Sequence, residues 1–406
     1  MLSGLGKKGR FVIGIHSLRV GLFSAVLLAF QPVWAQLSTD DHLADPGFWP
    51  RQSHSSNEAY AGNQACGKCH TSMVASQEMS RMARAAMPAA VADLLHSKPD
   101  LSFRSNQYEY RIQTDSKGGE ARSTYSVTNG TQTRSYPLTW AFGAGRVGQS
   151  YLFKKEDGDF YEARVTFYPK LAKLEFTPAR VLLNPTDIEE AMYRRVPNSE
   201  VLRCFSCHTT GSVLNNSFDE AHLVPGIKCE ACHGPGQEHV TAMGAAHSEK
   251  GGTHIYNPQH LAPTDSIEFC GACHGSWWDV KLSKVTGPST TRSAPYRLAT
   301  SKCWGKGDDS RLKCTGCHNP HKPLETRSEA YDAVCLQCHA KKSATVSRAT
   351  VNQQRPAVAA NLSAACKVGT EKCTSCHMPK TYVSDMHDDF TDHRIRIVRA
   401  GEAFPE

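Results

Sequence analysis

The chain has too few aliphatic side chains to fill the interior of a protein of 406 residues. Only 40% of its residues are hydrophobic, and its mean hydropathy is −0.44. A chain of this length folding on side chains alone buries about three-quarters of its surface, so this composition leaves interior for something else to occupy. Long apolar runs are missing beyond residue 35, which excludes a bundle of membrane-spanning helices, since each needs roughly 20 apolar residues. A large positive excess is also missing once the first 35 residues are set aside. Taking Lys7, Lys8, Arg10 and Arg19 from 46 basic residues leaves 42 against 39 acidic, a net of +3. That removes support for a nucleic-acid partner.

The leader has a composition of its own. Four cations without an acid precede an apolar run from Val20 to Phe30 and then Pro32-Val33-Trp34-Ala35. This order predicts a secretory signal over residues 1–35 cleaved after Ala35, with an uncleaved anchor as the rival. No cysteine follows to take a lipid. The expected product is periplasmic or extracellular, with no transmembrane segment after cleavage.

Sixteen cysteines in an exported chain suggest disulfides by default. Their spacing does not. Fourteen fall into seven Cys-x-x-Cys-His pentads, numbered here in chain order: Cys66/Cys69/His70, Cys204/Cys207/His208, Cys229/Cys232/His233, Cys270/Cys273/His274, Cys314/Cys317/His318, Cys335/Cys338/His339 and Cys373/Cys376/His377. Two cysteines three apart can form thioethers with the two vinyl groups of one haem, and the adjoining imidazole is then held on the iron. A zinc ribbon does not require a histidine after each pair, and a thioredoxin-like motif occurs once. The pattern predicts seven covalently attached haem c groups, with the seven histidines as proximal iron ligands. Porphyrin faces then supply the missing apolar interior.

The expected fold is haem-dominated: mainly short α-helices and loops wrapping seven c-type haems, with a small antiparallel β subdomain inserted after the first. The 133 cysteine-free residues between His70 and Cys204 carry that insertion. YSVTNGTQT centres on Asn129-Gly130, and Asp157-Gly158 separates two alternating, aromatic-rich runs, both strong hairpin signals. The predicted division is 36–97 with the first pentad, 98–182 β-rich, and 183–406 with the other six. The β-rich part is expected to cover a haem or shape an interface.

The second axial ligand decides between carrier and open site. Of 19 histidines, removing seven proximal ones and His16 of the leader leaves eleven candidates. His321 follows His318 by three, His239 follows His233 by six, and His393 lies in a β-like run. His222, His254 and His387 complete the candidate set, while His42, His54, His247 and His260 read equally well as surface residues. Met82, beside Met73 and Met79, reads two ways: a thioether ligand, or apolar packing against porphyrin. Cys303 and Cys366 stand outside the pentads. They predict a disulfide with each other, with a thiolate ligand or reactive thiol as the alternative.

The stretches YAGNQACGKCH, CFSCHTTG, PGIKCEACHGPGQEHV, CTGCHNPH, CLQCH, CTSCHMPK and FTDHRIRIV resemble the multihaem cytochromes grouped with the tetrahaem electron acceptor of hydroxylamine oxidoreductase, in a superfamily that includes that enzyme and pentahaem nitrite reductase. The resemblance implies bis-His haems in closely stacked pairs and names His239, His321 and His393 as distal ligands. Relatives often carry a Ser-x-His-Ala-like segment after the first pentad, and this chain has Ser80-Arg81-Met82-Ala83 there. The functional expectation is electron transfer between redox partner proteins. A reductase or oxidase of small nitrogen or sulfur oxyanions at one five-coordinate haem is the alternative. It lacks the Cys-x-x-Cys-Lys site of nitrite reductase, since every pentad ends in His. An oligomer or haem filament is a third possibility.

Overall fold

A computed structural model describes residues 59–116, 121–179, 184–244, 254–304, 311–339 and 369–405. The leader, His42, His54, His247 and Cys366, and with Cys366 the expected disulfide, lie outside the described residues.

Among the described residues, ten strands lie between Ala86 and Arg195. They are β1 Ala86–Pro88, β2 Asp100–Ser105, β3 Tyr108–Asp115, β4 Arg122–Thr128, β5 Thr133–Pro137, β6 Trp140–Phe142, β7 Gln149–Lys154, β8 Phe160–Tyr168, β9 Lys173–Phe176 and β10 Tyr193–Arg195. All pair antiparallel in two sheets. One has the order β2-β3-β4-β5; the other has the order β1-β6-β7-β8-β10, with β9 also on β8. Both predicted turns are present. Asn129 takes the backbone N–H groups of Thr131 and Gln132 on its side-chain oxygen at 3.1 and 2.8 Å between β4 and β5. Asp157 takes that of Asp159 at 2.9 Å between β7 and β8, where Gly158 adopts φ 81°. The strands reach past 98–182 at both ends, because β1 pairs with β6 and β10 with β8. Three-residue strands are too short to show an alternation in sequence.

The sheets pack face to face. Side chains two apart point the same way along a strand, and Tyr110, Ile112, Tyr125 and Val127 of the first sheet meet Tyr151, Phe153, Val165 and Phe167 of the second. Aromatic pairs fill the space: Phe103 meets Phe176 edge-on at 5.2 Å, and Tyr136 stacks on Phe153 at 4.9 Å. Each is worth about 0.5–1.5 kcal/mol beyond the area it buries.

The second sheet is covered on its other face too. Leu152, between inward-facing Tyr151 and Phe153, points away from the sandwich and joins Trp140, Phe160, Val201 and Phe205 in a second cluster. Phe205 is fully buried there, within 5.4 Å of the rings of Trp140, Phe142, Phe160 and Phe218. It belongs to the helix Asn198–His208, which ends in the second pentad. The β region thus forms the floor on which that pentad rests.

From Glu220 onward the chain runs mostly in short helices and loops. Among the described residues there, the buried apolar side chains are Ile267, Phe269, Val280, Tyr296 and Val383. So small a set cannot organise this much chain by side-chain packing. The apolar deficit seen in the composition is therefore concentrated where pentads 3 to 7 lie.

Candidate functional site: the Cys-x-x-Cys-His turns

Every pentad forms a helical turn. Pentads 3 and 7 make up the helices Cys229–His233 and Cys373–His377, and pentads 2, 4 and 6 close the helices Asn198–His208, Pro263–His274 and Asp332–His339. Pentad 5 contributes the turn Cys314–Cys317, and pentad 1 runs from the end of Asn63–Gly67 to His70, the residue that precedes the helix Thr71–Glu78. On a helix, positions i, i+3 and i+4 share one face, so each turn presents two sulfurs and an imidazole on the same side.

The polypeptide covers the sulfurs unevenly. The first cysteine of each pentad is half-buried, and so are Cys207, Cys232 and Cys338, but Cys69, Cys273, Cys317 and Cys376 are exposed. The adjoining His70, His274 and His339 are exposed too. None of the fourteen sulfurs is in a disulfide. The reason for the asymmetry is local. The helical turn stops at or just before the histidine in pentads 2 to 7, so the second cysteine stands nearer the open end, exposed in pentads 4, 5 and 7 and half-buried in 2, 3 and 6. A flat ring lying across both sulfurs and the imidazole needs that side clear of protein, so these residues fit haem c, with the ring rather than the chain covering Cys69, Cys273, Cys317 and Cys376.

Several imidazoles are held in one tautomer. Nδ1 of His208, His233 and His377 lies 3.0, 2.7 and 2.8 Å from the main-chain oxygens of Ala85, Tyr256 and Arg396. A carbonyl oxygen only accepts, so Nδ1 carries the proton and Nε2 keeps its lone pair free for a metal. His393 is oriented the same way, by the carbonyl of Thr391 at 3.0 Å. Burial works to the same end. It pushes the pKa of His318 down to about 4, and it pushes those of His321 and His393 down as well. These rings are neutral at pH 7.

Two pairs of rings have the spacing of a shared iron. Metal–imidazole bonds of about 2 Å on opposite faces, with about 1.15 Å from Nε2 to each ring centre, place two trans imidazoles about 6.3 Å apart. His233 and His321 are 5.8 Å apart and nearly parallel, at 10°. His318 and His393 are 6.1 Å apart at 48°. In each pair one ring belongs to a pentad and the other comes from outside it.

Contacts between pentads give them an order. The first cysteines of pentads 1 and 3, Cys66 and Cys229, share a hydrogen bond that lowers the pKa of Cys66 to about 7 and raises that of Cys229. Those of pentads 4 and 5, Cys270 and Cys314, do the same, raising Cys270 and lowering Cys314. Those of pentads 6 and 7, Cys335 and Cys373, also share a hydrogen bond. Between these couples, Cys232 of pentad 3 lies in electrostatic reach of Cys270, and Cys335 of pentad 6 in reach of Cys317. Pentad 2 meets pentad 4, where Cys207 Sγ lies 3.6 Å from the Ala272 carbonyl. The sequence of neighbours is 1-3-4-5-6-7, with 2 branching at 4.

Buried acids clasp two of the couples. The Glu230 carboxylate accepts from the backbone N–H groups of Ala61 at 2.7 Å and Gly62 at 2.9 Å, ahead of pentad 1, and of Gly236 at 2.8 Å, after pentad 3. Asp332, at the start of the pentad 6 helix, accepts from Lys372 and Cys373 at 2.7 and 2.8 Å, where pentad 7 begins. Gly226 lets the chain entering pentad 3 lie against the strap 82–85. A Cβ there would stand 1.9 Å from the Ala83 oxygen, and the N–H of Ile227 donates to Met82 O at 2.9 Å.

The remaining candidates are placed by other partners. His222 is exposed, with Nδ1 3.0 Å from the Asp219 carboxylate; His254 pairs with Glu238 at 3.6 Å; His387 meets the edge of Tyr168 at 4.7 Å. His260 is exposed, as a surface residue would be. His239 is half-buried on the helix Gln237–Gly244, and Met82 is half-buried while Met73 and Met79 are exposed. Cys303 is half-buried and in electrostatic reach of Cys317. Sequence reasoning missed Glu230, Asp332, Arg297 and Asp392. An acid inside a pentad, as in CEACH, was the one visible signal among them.

A family model described as cytochrome c554 and c-prime matches residues 181–234, and one described as a doubled CXXCH motif matches residues 308–344. These stretches hold pentads 2 and 3 and pentads 5 and 6. No curated protein and no solved structure matches the chain. The matches and the motifs support a multihaem c-type cytochrome with covalently bound haem c, a class that works in electron transfer with redox partners. Among the described residues, no helix is long and apolar enough to cross a membrane.

Proposed function

We propose that this protein is an exported one-electron carrier that holds seven haem c groups, one per pentad, in the neighbour order 1-3-4-5-6-7 with a branch to 2. The observation that carries this reading is the placement of the pentads beside one another: Glu230 joins 1 to 3, Asp332 joins 6 to 7, Cys207 of pentad 2 meets Ala272 of pentad 4, and His321, just after pentad 5, faces His233 of pentad 3. Haem c attached to such turns supplies a ferric/ferrous couple tuned by axial ligand and burial. The chain's own residues do the rest. The fourteen cysteines fix each ring covalently, and the seven histidines provide the proximal nitrogens. His321 and His393 would supply the second ligands to the irons held by His233 and His318, as their 5.8 and 6.1 Å separations support. Glu230 and Asp332 fix the distances within two of the couples, 1 with 3 and 6 with 7. No small-molecule reaction is needed for that task.

The signal peptide, a periplasmic or extracellular location and exported or membrane-associated redox partners belong to the same proposal. Intact mass together with electron paramagnetic resonance of the oxidised protein tests it. Seven haem masses on a chain beginning at Gln36, with low-spin signals dominating, is the expected result. A bare polypeptide mass refutes the proposal. A full equivalent of high-spin iron perturbed by nitrite or hydroxylamine replaces the carrier with the oxyanion enzyme.

A further inference from the structure

One segment of the chain serves two pentads at once. Residues 391–396 carry His393 to its place 6.1 Å from His318 of pentad 5, and the Arg396 carbonyl takes the Nδ1 proton of His377 of pentad 7 at 2.8 Å. What fixes this segment is a buried ionic cluster. The side chains of Arg297 and Asp392 are both 0% exposed. Their contact is a two-pronged fork, Arg297 Nε to Asp392 Oδ1 and Nη2 to Oδ2, each 2.8 Å. Asp392 also accepts from Arg396 Nη1 at 2.7 Å and from the Arg394 N–H at 3.0 Å. The third arm of Arg297 donates to the Pro405 carbonyl at 2.8 Å, and the Phe404 ring covers its guanidinium at 4.7 Å. Ser301, just past the Arg297 helix Ala294–Ala299, donates to the His393 carbonyl at 3.1 Å and accepts from the Ile395 N–H at 2.8 Å. Residues 392, 393 and 395 are thus each held from the side of residues 297–301.

An ion pair this deep costs about as much to desolvate as it returns, so stability alone does not account for it. Its distinctive property is geometric, because a planar guanidinium against a carboxylate admits one orientation. We infer that Arg297, Asp392 and Ser301 are positioning residues that hold His393 on the axial line of pentad 5, so that this iron stays six-coordinate. The inference rests on the reading of His393 as a distal ligand.

The test uses the haem-loaded protein. Arg297→Lys keeps the charge and removes the fork, and Asp392→Asn keeps the shape and removes the charge. Each is expected to convert one ferric iron per protein from low to high spin by electron paramagnetic resonance. Each should also create one carbon monoxide site in the reduced protein, with the other low-spin signals unchanged. His393→Ala gives the same signature without touching the cluster. If His393→Ala leaves every iron low-spin, the ligand reading fails and this inference fails with it. If His393→Ala yields the signal while Arg297→Lys and Asp392→Asn do not, the ligand reading stands and the positioning role is overturned. Should neither Arg297→Lys nor Asp392→Asn accumulate loaded protein, Ser301→Ala carries the test. It removes two hydrogen bonds from the segment and leaves the ion pair. A high-spin fraction at least about tenfold above wild type supports the role, and a wild-type spectrum overturns it.

Discussion

Substituting Glu230 separates pentads 1 and 3 by an amount that can be worked out from its bonds. Oε1 accepts from Ala61 at 2.7 Å and Gly236 at 2.8 Å, and Oε2 accepts from Gly62 at 2.9 Å. In Glu230→Gln the amide oxygen can keep the two Oε1 partners, and the amide NH2 then faces the Gly62 N–H, donor against donor. One bond is lost and two lose their charge, in a residue only 6% exposed. With charge-assisted bonds at about 1.5–3 kcal/mol and an unsatisfied buried donor at about 1–3 kcal/mol, the clasp weakens by about 3 kcal/mol. At about 1.4 kcal/mol per tenfold, that raises the open population about a hundredfold. Glu230→Ala, which strips all three donors, goes further. Hydrogen exchange of the haem-loaded protein reads this directly in peptides covering 61–66 and 229–236, with peptides of β3 and β4 as the unaffected reference. If Glu230→Ala exchanges both segments within about threefold of the wild-type rate, the carboxylate does not join the two pentads, and the 1-to-3 link rests on the cysteine contact alone.

Axial ring geometry gives a second prediction. The His233–His321 planes are nearly parallel at 10°, whereas His318–His393 are tilted at 48°. Parallel imidazoles split the iron dπ orbitals more than tilted ones, so the first pair should give a rhombic low-spin signal and the second a larger maximum g value; His321→Ala must remove the former and not the latter. Phe205→Ala empties the site under the second pentad and should cost about 3–5 kcal/mol, measured by urea unfolding followed in the Soret band. A cost below about 1 kcal/mol would mean that the sheet does not support this pentad. Asp388, on the hairpin Lys380–Val383 with Asp388–Thr391, is salt-bridged to Lys170 at 2.6 Å and Arg146 at 3.4 Å. Burial pushes its pKa up, but the Lys170 hydrogen bond, the Asp389 N–H and the two cations outweigh that and hold it below the usual carboxylate value. Its folded pKa is therefore lower than its unfolded one of about 3.9, so the contribution to stability is present above about pH 4 and is lost as the pH falls through the folded value. Protease cutting of the hairpin should rise below about pH 4, and Asp388→Asn should show the same cutting at neutral pH; protection that persists in that variant refutes the latch.

The pentads were legible because everything they need lies within five residues, at helical spacing. The two hairpins were legible because Asn129-Gly130 and Asp157-Gly158 supply the backbone conformations that tight turns require. What decides the site beyond those units is long-range. Spacing makes Cys66 and Cys69 equivalent, and only the surrounding fold distinguishes a half-buried first sulfur from an exposed second one. His321 sits three residues from His318, yet the ring it faces is His233 of another pentad. The acceptors that set the tautomers of His208, His233 and His377 are main-chain carbonyls of Ala85, Tyr256 and Arg396, and a carbonyl has no signature in an amino-acid string. Arg297 and Asp392 are 95 positions apart and look like any two charged residues until both are found fully buried. Glu230 is the nearest miss: an acid inside Cys-x-x-Cys reads as a surface residue unless three backbone donors are known to converge on it.

The division of the chain follows from which part can bury itself. The sandwich has its own aromatic core, and its outer face receives Phe205 and the helix of pentad 2. The remainder has few buried apolar side chains, and what holds it are buried polar clasps: Glu230 between pentads 1 and 3, Asp332 between 6 and 7, and Arg297 with Asp392 against pentads 5 and 7. Polar clasps suit that task better than more leucine would. A set of carboxylate and guanidinium bonds fixes direction and register, whereas apolar contact leaves side chains free to slide. In a chain proposed to pass electrons from ring to ring, fixed spacing between neighbours is the quantity that must not drift, and the Glu230 and Asp332 clasps lie at joints where one pentad meets the next.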